Sequence, residues 1–112
     1  MILPAILAAQ KPDFDILAKD WLDAGASTFS IWADGVALAT WPAGNSPQPA
    51  ALVEPITVNS VKIGELHLAG LCQPAHRLRL QAQAGFIAQI ARLERDLNSM
   101  AADLIDTQDQ LL

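Results

Sequence analysis

His67, Cys72 and His76 are the residues of this 112-residue chain best equipped for acid–base, nucleophilic or metal chemistry, and they fall in one short stretch. Their separations of five and four residues do not suit a zinc site, which takes four ligands in paired short spacings. No G-x-S-x-G stands near either histidine to build a nucleophile elbow, and no Gly-rich loop follows a strand at phosphate-binding spacing. Ala75-His76-Arg77-Leu78 lacks the acidic residue and proline that accompany the phospho-accepting histidine of a sensor kinase. The single Cys72 has no intramolecular partner, which fits a reducing compartment. A small buried hydrophobe is the plain expectation for it, and a redox or cofactor-attaching thiol is the other. These residues point to no catalysis within the chain, no metal and no cofactor.

His67 has more informative company. In Glu65-Leu66-His67-Leu68 the period of two puts Glu65 and His67 on one face of a strand and both leucines on the other. A histidine titrates near neutrality, so this one reads either as a ligand contact or pH-sensitive switch, or as a half-exposed strand residue. Trp32 and Trp41 join it as candidates. Thr28-Phe29-Ser30-Ile31-Trp32 and Val36-Ala37-Leu38-Ala39-Thr40-Trp41 alternate on either side of Asp34-Gly35, a strong two-residue hairpin turn. In the simplest register Ala33 faces Val36, Ile31 faces Leu38 and Phe29 faces Thr40, which leaves both indoles together on the opposite face. If helices cover Phe29, Ile31, Leu38, Leu66 and Leu68, then Trp32, Trp41, Glu65 and His67 form the candidate ligand-binding set on the far face. Indoles of that size call for a cover: the Pro42–Ala50 loop, a second subunit or a small ligand.

The elements that must hold these residues follow from periodicity. Met1 to Gln10 is apolar but lacks a basic leader and carries Pro4, so it reads as an N-terminal arm or short helix rather than a signal peptide. No window reaches the roughly 18–20 apolar residues of a membrane span. From Pro12, the residues Phe14, Leu17, Ala18, Trp21 and Leu22 make one helical face, and Gly25 is placed to end that helix. Three prolines and Gly44 between Pro42 and Pro49 mark a loop. Leu52–Val58 is a strand that Pro55 assigns to an edge or a bulge. Asn59-Ser60 turns into a last strand over Lys62–Ala69, closed by Gly70, and Pro74 suits the first turn of the long helix that follows.

In that helix Phe86, Ile90, Leu93, Leu97, Met100, Leu104 and Leu111 recur at spacings of four and three, with Thr107 filling the gap. This is the narrow seam of a coiled coil rather than the broad stripe of a helix lying on a core, and it predicts a homodimer through the C-terminal helix. The alternative is a helix packed on its own sheet to about Leu93 and free beyond. The flanking Gln89, Glu94, Asp96, Ala101, Asp103, Gln108 and Gln110 offer no complementary ion pairs, so pairing rests on apolar contact. The final Asp106–Leu112 carries no Gly, Pro or Asn stop signal, as expected of a segment continuing into something longer.

Composition sets the outer limits. With 52% apolar and 17% charged residues the chain is not disordered. Seven basic residues against twelve acidic ones give a net charge of −5 and no phosphate-binding stripe, so nucleic acid is not an expected partner. Once the terminal helix is set aside, roughly 75 residues remain for a core, a size at which extra burial by dimerisation helps.

The order of these elements resembles the GAF family of sensory domains and, more distantly, the PAS domains. Phe29-Ser30-Ile31-Trp32-Ala33-Asp34-Gly35 matches the family's first hairpin. Glu54-Pro55-Ile56-Thr57-Val58 and Ile63-Gly64-Glu65-Leu66-His67-Leu68 look like its later pair of strands, and the long outgoing helix is the third likeness. The resemblance spans roughly residues 13–97. It departs at the short Pro42–Ala50 loop, where cofactor-binding members carry helices, and at Cys72-Gln73, where bilin-attaching members have Cys-His. Nothing resembles the asparagine- and lysine-led motif of the cyclic-nucleotide binders. The resemblance implies an α+β fold with a four-stranded antiparallel sheet in the order 2-1-4-3 and flanking helices on one face. It implies an arm over 1–11, a sheet domain with its first helix over 12–74, and a signalling helix over 75–112. It further implies a cytoplasmic bacterial sensory and dimerisation module without membrane insertion. Its output would pass to an effector such as a SpoIIE-type phosphatase, a histidine kinase or a cyclase. A pure oligomerisation scaffold without a ligand is the alternative.

Overall fold

The computed structural model describes the backbone of residues 3–46 and 48–111, and the side chains among them through Leu97 and at Met100. In chain order the elements are α1 (Leu3–Ala9), α2 (Lys11–Asp23), β1 (Thr28–Ala33), β2 (Val36–Trp41), β3 (Leu52–Val58), β4 (Val61–Ala69) and α3 (Pro74–Leu111). The strands form one antiparallel sheet in the order β2-β1-β4-β3, an α+β arrangement with three helices.

Local chemistry explains most of the boundaries. Pro12 lies in the first turn of α2, where its missing N–H is no loss. At the other end Gly25 takes φ +113°, the Gly25 N–H donates to Leu22 O and the Ala26 N–H donates to Trp21 O. That is a Schellman stop, satisfying carbonyls the helix would otherwise leave open. Asp34 and Gly35 adopt φ of 52° and 75°, as a tight hairpin demands. Asn59 and Ser60 do the same at 51° and 66° and pair Val58 with Val61. Pro55 lies on β3, an edge strand, where its missing donor breaks no central ladder.

Two ladders depart from simple alternation: β3–β4 shifts between Ile56 and Thr57, and the β1–β2 shift bears on the site. Ala33 faces Val36 and Trp32 faces Ala37, but Ile31 then faces Ala39 and Phe29 faces Trp41. Leu38 is thus an extra residue on β2, a bulge that reverses the facing of every residue after it. The expected pairs Ile31–Leu38 and Phe29–Thr40 do not form, and Trp41 crosses to the face that carries Phe29.

All three helices contribute to one hydrophobic core with that face of the sheet. Phe29, Ile31, Leu52, Ile56, Leu66 and Leu68 meet Phe14, Ala18 and Trp21 of α2 and Leu80, Ala84, Ile87 and Ala91 of α3. The N-terminal segment is a docked helix, with Leu3 and Ile6 buried. Of the two expectations for α3, the helix packed on its own sheet to about Leu93 describes its first turns. Its first turns lie on the sheet through Leu80, Ala84, Ile87 and Ala91, a stripe that reading the seam alone passes over. A fully buried leucine or isoleucine contributes about 1.5–3 kcal/mol, which is what seats the helix.

Gly64 marks the tightest approach in the core. A Cβ there would stand 2.5 Å from Leu3 Cδ2 and 2.6 Å from the Trp32 carbonyl oxygen, and a backbone atom has no rotamer by which to yield. Gly85, in contrast, sits on α3 with nothing near its missing Cβ. Gly64→Ala is expected to lower the unfolding free energy by about 1–3 kcal/mol. Gly85→Ala should raise it by about 0.5–1 kcal/mol through helix propensity alone. Urea denaturation of the two variants checks the opposite signs.

Candidate functional site

The far face of the sheet brings together three of the four candidate ligand-binding residues. Trp32 pairs across the ladder with Glu65, and Ser30 pairs with His67, so the indole and imidazole are diagonal neighbours within reach of each other. Their rings stack with centroids 4.7 Å apart at 17°. The Trp32 Nε1–H donates to Ser30 Oγ at 2.9 Å, which fixes the indole over a hydroxyl that is itself buried. Lys62 Nζ lies 3.1 Å from Glu65 Oε2, a partly exposed pair of small energetic weight.

His67 is the strained member of this group. Its Nε2 is buried without a hydrogen-bond partner, because Glu65 Oε1 stands 3.8 Å away, beyond bonding distance. Desolvation holds its pKa below the ordinary value of 6.5, and the Glu65 charge offsets part of that effect. The neutral imidazole is therefore the folded protein's preferred form. Protonation would place a cation against the Trp32 face, at the expense of hydrating it less than in the unfolded chain.

The Pro42–Ala50 segment reaches this side of the sheet. The Gln48 N–H donates to Thr28 Oγ1 at 3.2 Å, and Thr28 and Ser30 are almost wholly buried.

Trp41 does not belong to the site. After the Leu38 bulge its ring lies 5.7 Å from Phe29 and packs against the core. Its Nε1–H donates to Asp15 Oδ1 of α2 at 2.9 Å. Asp15 also receives Lys11 Nζ at 2.9 Å, and the hydrogen bonds from Lys11 and then Trp41 hold its carboxyl below the usual value. Trp41 is thus a bolt between the edge strand and α2. Cys72 also departs from expectation: it is exposed, not buried, because it sits in the short link between β4 and α3.

Sequence reasoning missed a polar anchor at the root of α3. Glu54 shares the inward parity of Leu52, Ile56 and Val58 and is 8% exposed, so the alternation of β3 alone assigns it to the core. Above it lie Gln81, whose Nε2 donates at 3.4 Å, and Arg77, whose Nη1 is 3.9 Å away. A carboxylate this buried requires such partners. On the side of the same turns that faces α2, three residues of α3 grip Trp21. Gln83 Oε1 accepts its indole N–H at 2.6 Å, the Arg79 guanidinium lies 4.6 Å over the ring, and His76 meets it edge-on at 6.2 Å. His76 is therefore a packing partner of Trp21.

The seam residues divide cleanly. Phe86, Leu93, Leu97 and Met100 are 60–67% exposed, whereas Ile90 is half-buried against the core. Leu104 and Leu111 lie outside the described side chains. Between α2 and α3, Phe14, Leu17, Phe86, Ile87 and Ile90 line an open groove of about 360 Å³ with Asp13 at its rim. Among the described residues no three His, Cys, Asp or Glu side chains converge to hold a metal ion. No described helix is long and apolar enough to cross a membrane. No family model, curated protein or solved structure matches the chain.

The depressed His67 pKa carries a sign. Between the folded and unfolded values the unfolded chain binds the extra proton, so stability is full above about pH 7. It falls as pH drops through 6.5 and levels once the folded value is passed. Asp15 acts in a separate, more acidic window, below 3.8. Melting temperature measured from pH 7.5 to 5 should decline in the wild type, and His67→Asn should flatten that decline. An identical slope in the variant would assign it elsewhere.

Proposed function

We propose that this chain is a regulatory sensory and dimerisation module of a signal-transduction protein, GAF-like in kind. In this reading it pairs as a homodimer through α3 and relays a state change along that helix to an effector. A SpoIIE-type phosphatase, a histidine kinase and a cyclase are the effector classes the resemblance offers, and the chain itself carries no catalysis. The observation that carries the reading is the division of labour on α3. Core contact among the described residues ends at Ala91, while Phe86, Leu93, Leu97 and Met100 stay more than half exposed at the four-three spacing of a zipper. Large apolar side chains in such a row call for a partner.

A relay needs two states of the paired helices and a domain that favours one of them. The root of α3 supplies polar contacts suited to that role, since Glu54, Arg77 and Gln81 meet at 3.4–3.9 Å rather than by close packing. The far-face group of Trp32, Glu65 and His67 is the place where a small ligand or a proton would act. A ligand-free oligomerisation scaffold is the second reading, favoured by the stacking of Trp32 on His67, which already covers one indole face from within.

Sedimentation velocity on Leu93→Asp and Leu97→Asp tests the pairing. Wild-type chain is expected to sediment as a dimer and both variants as folded monomers, with far-UV circular dichroism retaining the helical signal of the sheet-bound turns. A dimer of unchanged mass in both variants overturns α3 as the main contact. Titrating tryptophan emission with fractionated metabolite pools separates the two readings: a saturable change that Trp32→Phe abolishes supports sensing, and a flat response favours the scaffold.

A further inference from the structure

We infer that the groove between α2 and α3 is the second half of the dimer interface and receives Phe86 of the other copy in a parallel pair. The inference rests on the homodimer reading above and specifies which surfaces meet.

Helical geometry places the groove beside the seam. At about 100° per residue, the sheet-bound stripe of Leu80, Ala84, Ile87 and Ala91 and the seam starting at Phe86 are centred roughly 130° apart around α3. The residues that grip Trp21, namely His76, Arg79 and Gln83, fall between the two. Circling the helix therefore meets the sheet, then α2, then the seam. A helix laid along the seam runs alongside α2, and the groove lies under it.

The groove shares its lining with the seam, since Phe86 and Ile90, the first two seam positions, form one wall. Phe14 and Leu17 of α2 form the other. Area points the same way. The four exposed seam side chains described, Phe86, Leu93, Leu97 and Met100, offer on the order of 100 Å² each. Two copies would then withdraw about 800 Å² through these four, with Leu104 and Leu111 outside the described side chains, against the roughly 1,000 Å² of a specific interface. The groove is the adjoining apolar surface that extends the contact.

A second copy fits this surface for a reason of symmetry. In a parallel two-fold pair each residue of the seam lies level with its own number across the axis, so the Phe86 side chain of one copy arrives at the height of the other copy's groove. An antiparallel pair would bring the far end of α3 there instead. The charges flanking the seam, Glu94, Asp96 and Asp103, do not discriminate between these orientations by attraction. The residue that fills the groove does: Phe86 in a parallel pair, a residue from the far end of α3 in an antiparallel one.

The test is an isotope-filtered NOE experiment on a mixed dimer, one copy 13C-labelled and the other unlabelled. Contacts between Leu17 methyl protons of one copy and Phe86 ring protons of the other are expected. Alongside it, Leu17→Asp should weaken the dimer at least about tenfold with circular dichroism unchanged. The inference falls if a sample that sediments as a dimer shows no such intermolecular contact, or shows Leu17 against residues 104–111 of the other copy. It also falls if Leu17→Asp dimerises like the wild type while Leu93→Asp is monomeric, an outcome that leaves the seam reading standing. A wild-type chain that stays monomeric at every concentration removes both. Should Leu17→Asp fail to fold, the wild-type NOE pattern alone decides.

Discussion

The seating of α3 on the sheet is the constraint from which the other features follow. Leu80, Ala84, Ile87 and Ala91 put one side of the helix against β3 and β4, with Leu52, Ile56, Leu66 and Leu68 in the same core. Once that side is taken, the rotation of the helix about its own axis is set. Trp21 must then be met by His76, Arg79 and Gln83, and the row beginning at Phe86 must face away. A helix rotated by one residue would turn Gln81, Gly85, Ala88 and Arg92 toward the core in place of Leu80, Ala84, Ile87 and Ala91. The two small residues in the stripe, Ala84 and Ala91, let the helix approach the sheet closely, while Leu80 and Ile87 fill the space between.

Polar chemistry is concentrated where that seating begins. Glu54 is almost fully buried, and a buried carboxylate is tolerated only while its partners stay in place. Glu54 therefore ties the position of α3 to the condition of the sheet edge that carries it. The Trp41–Asp15 bond does the same for α2 and the opposite edge. Each edge strand of the sheet is thus connected to one helix through one polar-tipped side chain, Glu54 on β3 and Trp41 on β2, and β1 and β4 at the centre supply the packed floor. On the far face His67 stacks on Trp32 with one ring nitrogen unpaired, so β1 and β4, which hold the core together, also carry the one half-buried titratable ring of that face.

Much of this was legible from the chain alone. Alternation identified all four strands, and Asp34-Gly35 and Asn59-Ser60 marked both hairpins because only a few residue types accept positive φ cheaply. Gly25 announced the end of α2 and Pro74 the start of α3, while Pro55 left its strand at an edge or a bulge, of which the sheet shows the edge. The sheet side of α2 could be read from Phe14, Ala18 and Trp21. The site was legible in part: the parity of β4 put Glu65 and His67 together, and that of β1 added Trp32. Glu54 was missed, although it shares the parity of three apolar neighbours, because a charged residue masks that signal.

Local sequence determined what each segment becomes, because helix and strand periods, turn residues and caps act over a few positions along the chain. It also determined which faces are apolar. The tertiary structure alone decided how those faces are used. Nothing near Leu38 announces a bulge, since the extra residue is tolerated only through pairing with β1 and packing beneath α2, and that pairing sent Trp41 away from Trp32. Likewise α3 carries two apolar stripes of similar quality in its sequence. Which of them meets the sheet depends on the shape and volume left by residues up to 70 positions away, and no short-range rule contains that information.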